Sequence, residues 1–126
     1  GATSMTDVTG FGFLGHLWEM VRGSQFGVRL NISAIPIFEG VIELIAGGIT
    51  SSLQESNESV LQEFAVDSQV DATKLKALVD PQTSGGLLAT VPENLAPDCL
   101  RKLQSAGYAA SIVGDVVDSA ERAVEP

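Results

Sequence analysis

Glycine spacing around a single carboxylate constrains this chain more than any other feature. In Thr6-Asp7-Val8-Thr9-Gly10-Phe11-Gly12-Phe13-Leu14-Gly15-His16, one aspartate lies between two threonines, and a glycine-punctuated turn then runs straight into an apolar helical repeat. Glycine lets the backbone approach a ligand closely. The first N–H groups of a helix have no internal partner, and the helix dipole favours negative charge beside them. Asp7 adds a hard oxygen of the kind Mg²⁺ prefers. The segment thus has the chemistry of a place where a cation and an anion meet at a helix start. A plainer reading stays open: an Asx-type turn that caps the helix, a common use of Asp and Gly.

The helix predicted after this turn spans about Phe11 to Gly23. Phe13, Leu14, Leu17, Trp18 and Val21 recur at three-and-four spacing on one face, widened by Met20. His16, among these apolar positions, either points toward a bound anion or is a hydrogen-bonded structural histidine. Alternation predicts a strand over Val28–Ile32, and Ser33-Ala34-Ile35-Pro36 leads into a second helix closing near Gly47-Gly48.

Residues 50–70 are rich in Ser, Gln, Glu and Asn. They read as a loop with at least one short ordered piece, or as a mobile flap. A short helix from Asp71 runs through Leu75 and Leu78 until Pro81 stops it.

A second polar loop, Asp80-Pro81-Gln82-Thr83-Ser84-Gly85-Gly86, then opens directly into the strand-length apolar run Leu87-Leu88-Ala89-Thr90-Val91. On its own this is a turn that starts a strand. Asp80 is either a second metal ligand or, since the residue before proline is pushed toward extended backbone, a turn former.

A helix over about Glu93–Ala106 follows, with Pro97 tolerated in its first turn and Gly107 as its cap. Leu95, Cys99, Leu103 and Ala106 share one face, so Cys99 reads as core filler rather than a nucleophile. Ala110–Val117 is the last predicted strand, and the polar stretch 118–126 is expected to fray.

At 126 residues the chain suits one domain with a real core. A formal net charge of −9, with only 7 Lys and Arg, argues against nucleic acid or an anionic membrane surface as a partner. The same charge repels a polyphosphate unless metal ions intervene. The single cysteine allows no internal disulfide and fits a reducing compartment such as the cytoplasm. No Walker-type loop or zinc-ligand spacing occurs. Helices alternating with strands predict an α+β fold, an α/β sandwich with a mixed sheet covered by helices.

The pair TDVTGFGFLGH and DPQTSGGLLATV, in this order and roughly 70 residues apart, is far more specific than either segment. Together they resemble the C-terminal domain of the selenophosphate synthetase (selenide, water dikinase) family, within the aminoimidazole ribonucleotide synthetase superfamily. Ile35-Pro36-Ile37-Phe38-Glu39-Gly40-Val41-Ile42-Glu43-Leu44 is similar to that family's proline-led helix, Gly47-Gly48-Ile49 to the turn that closes it, and Ala106-Gly107-Tyr108 through Ile112-Val113-Gly114-Asp115-Val116 to its closing strand. Around Thr50-Ser51-Ser52-Leu53 the pattern departs from the family's glycine-threonine turn, although Asn57 is present.

The resemblance implies a metal-dependent conversion of selenide, ATP and water to selenophosphate, AMP and phosphate. It implies that residues 1–126 form a single C-terminal domain, and that the reactive cysteine or selenocysteine, the essential lysine and most ATP contacts lie in an N-terminal domain outside this sequence. No catalytic residue is then expected here. Asp7 matches the aspartate ligand to Mg²⁺, and Thr9, Gly10, Thr83 and Ser84 become candidates for a cleft wall near the nucleotide phosphates. The implied partners are ATP, selenide and the N-terminal domain, with a homodimer built mainly through that domain. Two alternatives accompany this reading: a sister ATP-dependent enzyme such as a thiamine-monophosphate kinase or a carbamoyl-dehydrating maturation protein, or a non-catalytic dimerising or regulatory module.

Overall fold

The computed structural model describes residues 1–126. Six strands fall into two sheets. Strands β1 (Ser4–Asp7) and β4 (Leu87–Thr90) form an antiparallel ribbon in which Ser4 faces Thr90 and Asp7 faces Leu87. The other four are β2 (Gly27–Asn31), β3 (Ala65–Val66), β5 (Gly114–Val117) and β6 (Arg122–Glu125). They make a mixed sheet in the order β3-β6-β2-β5, with β6 parallel to both neighbours and β2–β5 antiparallel. With the helices this is an α+β fold, in agreement with the sequence.

Helix α1 (Gly12–Val21) ties the two sheets together. Its Phe13, Leu14, Leu17 and Val21 enter one core with Val8, Val28, Leu30, Ile32, Ile35, Phe64, Leu78, Val79, Leu88 and Val124. Leu14, Val79 and Val124 reach zero exposure. The apolar spacing of α1 therefore does what its period requires, burying one stripe against both sheets. Alternation in β2 works likewise: Val28 and Leu30 are buried while Arg29 and Asn31 face solvent.

Several boundaries differ from the sequence reading. The second helix, α2, covers only Val41–Ala46. Residues Ile32–Ala34 form a separate 3₁₀ turn, Pro36 supplies no N–H, and Gly40 takes a left-handed φ of 84° that stops helix from extending backward. Residues 50–70 carry α3 (Gln54–Asn57), a 3₁₀ turn over Glu58–Glu63 and β3, so this stretch is ordered rather than a flap. Helix α4 (Ala72–Ala77) starts where expected, because the Asp71 side chain accepts from the N–H groups of Thr73 and Lys74.

Helix α5 (Ala96–Ser105) follows a 3₁₀ turn at Glu93–Leu95. It has no buried residue, and Leu95 and Leu103 are exposed, so Cys99 is half-buried rather than core filler. The period was read correctly, but the chain leaves that face largely open, with Leu95, Leu103 and Ala106 exposed and only Cys99 partly covered.

The frayed tail also needs correction. Residues 122–125 are strand β6 inside the four-stranded sheet, with Ala123 and Val124 buried. Its four residues give too short a window for alternation to stand out from the polar residues around it. No helix is long and apolar enough to cross a membrane.

Candidate metal and phosphate site

The two glycine-bearing motifs, distant in sequence, lie back to back. The β1–β4 ladder ends with Asp7 facing Leu87, and the pairing continues past it: Val8 N–H donates to Gly86 O at 2.9 Å, and Gln82 N–H donates to Thr9 O at 3.1 Å. Thr9 O also accepts from Gly12 N–H at 3.0 Å, closing the turn that starts α1. A Cβ at Gly85 would sit 2.3 Å from Val8 O, so only glycine permits this approach. At Gly12, φ is +69° and a Cβ would fall 2.7 Å from the Val79 carbonyl carbon. The glycines thus serve backbone packing between the motifs as well as any approach to a ligand.

Asp7 terminates a strand; it does not cap the helix. The residue before α1 is Phe11, and no side chain caps that terminus. Asp7 is exposed, and its carboxylate takes part in no hydrogen bond or ion pair of the chain, while the Thr6 hydroxyl donates to its backbone oxygen at 3.1 Å. The Asx-cap reading therefore fails.

Around Asp7, the site residues named from sequence divide. Thr9 is half-buried with its Oγ1 3.0 Å from His16 Nε2. Gly10 is exposed at the turn, and Thr83 and Ser84 are exposed on the facing loop with no side-chain hydrogen bond. His16 is buried, with Nδ1 3.4 Å from Glu19 Oε2. It is partnered within the chain, as the structural alternative required.

Asp80 is half-buried at a separate cleft of about 360 Å³, lined also by Leu44, Ile45, Thr50 and Ser51. Burial pushes its carboxyl above the usual aspartate range. Its side chain makes no hydrogen bond that would form a turn.

Asn57 is the residue whose part the sequence left open. Its Nδ2 donates to Gly10 O at 2.9 Å and to Val79 O at 3.0 Å, joining the Asp7 turn to the segment that precedes Asp80. A single asparagine in a polar stretch carries no periodic signal. Only its survival within an otherwise divergent loop singled it out.

Nowhere does the chain gather three or more His, Cys, Asp or Glu side chains into a metal-binding group. Asp7 fits a divalent cation as one hard oxygen donor, not as a complete site.

Comparison with known proteins assigns the family. Residues 1–125 match the family described as AIR synthase related protein, C-terminal domain, and the chain belongs to it. Its relatives narrow the group further. It is 43% identical over 124 residues to "Selenide, water dikinase 2" of Peptoclostridium acidaminophilum, covering 96% of this chain and 35% of that protein. It is 36% identical over 122 residues to "Selenide, water dikinase" of Clostridium botulinum (strain Eklund 17B / Type B), with the same coverages of 96% and 35%. Against the protein of that name in Geobacter metallireducens it is 37% identical over 123 residues, covering 98% of this chain and 36% of the relative. The chain thus spans about a third of the length of the curated relatives it matches.

Proposed function

We propose that this chain is part of a selenide, water dikinase and supplies one Mg²⁺ ligand, Asp7, to an ATP cleft whose other walls come from an N-terminal domain. The observation that carries this reading is the docking of the DPQTSGG loop on the TDVTG turn, which leaves an unpartnered carboxylate at the exposed end of β1. A carboxylate held by a strand ladder and free of competing partners is a preorganised donor.

In this reading the longer protein converts selenide, ATP and water to selenophosphate, AMP and phosphate. Bound Mg²⁺ supplies charge neutralisation and alignment of the transferred phosphoryl group. The chain's own residues do the positioning. The β1–β4 ladder fixes Asp7, the Asn57 amide holds the turn behind it, and the Thr83 and Ser84 hydroxyls line the facing loop. With a net charge of −9, the domain accepts a polyphosphate only when cations are interposed. The longer protein is a homodimer built mainly through its N-terminal domain, and its setting is cytoplasmic. By itself the chain binds Mg²⁺ weakly and turns over no ATP.

The test is phosphorus NMR on the longer protein with ATP, Mg²⁺ and anaerobic selenide, beside its Asp7→Ala variant. Selenophosphate and AMP from the parent, both lost in a folded variant, are the expected result. A parent that makes no selenophosphate would move the reading to a sister activity or a non-catalytic module. A fully active variant would remove Asp7 from the metal.

A further inference from the structure

Behind the Asp7 turn, a short relay of polar groups runs from solvent into the protein. Glu19 and His16 are neighbours on α1, with Glu19 Oε2 3.4 Å from His16 Nδ1, and His16 Nε2 lies 3.0 Å from Thr9 Oγ1. The His16 side chain is 10% exposed and its ring sits beside that of Phe11, their centroids 5.6 Å apart.

A neutral imidazole carries one proton and one lone pair, and what faces each nitrogen decides which is which. A lone pair on Nδ1 would confront the Glu19 carboxylate; a proton there is attracted to it. We propose that Glu19 holds His16 as the Nδ1–H tautomer, so that Nε2 accepts the proton of the Thr9 hydroxyl. His16 is then a positioning residue, and what it sets is the polarity of Thr9.

The consequence concerns what Thr9 can recognise. A hydroxyl has one proton to donate and two lone pairs to accept with. With its proton committed to Nε2, and no other group of the chain bonded to it, the half-buried Thr9 Oγ1 is left to any ligand as an acceptor only. Such an oxygen suits a donor, such as water on a metal ion, and repels a bare phosphate oxygen. Within the proposed ATP cleft, on which this last step rests, Thr9 belongs to the hydration shell of the Asp7 cation rather than to the phosphate wall.

The sequence has one histidine, so its ring signals are unambiguous. Long-range proton–nitrogen correlation spectra of the ¹⁵N-labelled chain, recorded without metal or nucleotide in alkaline buffer, read the tautomer directly. The expected pattern is a protonated Nδ1 and an unprotonated Nε2 displaced by an accepted hydrogen bond. Thr9→Ser keeps this pattern, Thr9→Val loses the Nε2 displacement, and Glu19→Gln raises the Nε2–H population. An Nε2–H tautomer in the parent chain overturns the proposal, as does a Glu19→Gln variant with an unchanged ratio. The parent spectrum decides even if Thr9→Val does not fold.

Water-proton relaxation with Mn²⁺ as probe tests the second step. Binding is expected to weaken several-fold in Thr9→Val and to persist in Thr9→Ser, while equal binding by Thr9→Val and the parent chain removes Thr9 from the hydration shell. Loss of Mn²⁺ binding in Asp7→Asn is read separately. If that variant binds as the parent does, the metal reading of Asp7 fails while the tautomer result stands.

Discussion

Asn57 and Gly10, 47 positions apart, are joined by a 2.9 Å hydrogen bond from the Asn57 amide to the Gly10 carbonyl, and the same nitrogen reaches Val79 O at 3.0 Å. One side chain thereby fixes the turn carrying Asp7 to the fully buried Val79. Replacing Asn57 by Ala strands the Val79 carbonyl without a donor, a loss worth about 1–3 kcal/mol. Urea denaturation should show a lowered midpoint with an unchanged slope. Asn57→Asp should be at least as damaging, because it turns a carboxylate toward two carbonyls.

Asp7 should behave in the opposite way. Its carboxylate is exposed and has no partner in the chain, so Asp7→Asn should change stability by no more than about 0.5 kcal/mol. Thermal melts of the two proteins in metal-free buffer should superimpose. Any functional defect in Asp7→Asn would then be a ligand defect rather than a folding one.

At Gly12, substitution by Ala combines a left-handed φ of +69° with a Cβ 2.7 Å from the Val79 carbonyl carbon. The backbone conformation alone costs about 1–2 kcal/mol, and the clash forces α1 away from the segment it packs on. A drop in melting temperature larger than that of Asn57→Ala is expected. Gly10→Ala is the control: it is the neighbouring turn glycine with open space around its Cβ position and no positive φ, and it should be nearly neutral.

For Asp80 the pH dependence has a definite sign. Burial raises its folded-state pKa above the unfolded value, so the folded state binds the proton more tightly. Ionisation therefore costs stability above the folded pKa, and the cost disappears as pH falls below the unfolded one. Asp80→Asn should melt slightly higher than the parent at neutral pH, and the difference should vanish in acid. A parent more stable than the variant at neutral pH would point to a cation or an unseen partner on the carboxylate.

How much of this was legible in the sequence follows from the reach of each signal. The face of α1, the alternation in β2 and the start of α4 at Asp71 are local patterns, and each stands where its residues put it. Strand β1 was hidden because Asp7 draws attention to the turn rather than to the four residues it ends. Helix α5 shows the limit of periodicity: its spacing identifies a face but not what covers it, so Cys99 was assigned to a core that this chain does not build around it. The docking of the two motifs rests on backbone hydrogen bonds between residues about 75 positions apart. No composition or period encodes such bonds; the glycines at 12 and 85 record only that something passes close by.

The place of β6 bears on how the protein is made. Because residues 122–125 lie between β2 and β3, a growing polypeptide holds a sheet with an open slot until these residues leave the ribosome. β2 and β3 meanwhile present unpaired edges that other chains can join. Pairing of Val28 with Arg122 is among the longest-range contacts in the fold, and closure of such contacts is slow. Residues 122–125 thus act as a late-arriving latch: a chain lacking them should keep α1 but leave the slot between β2 and β3 open to strands of other molecules.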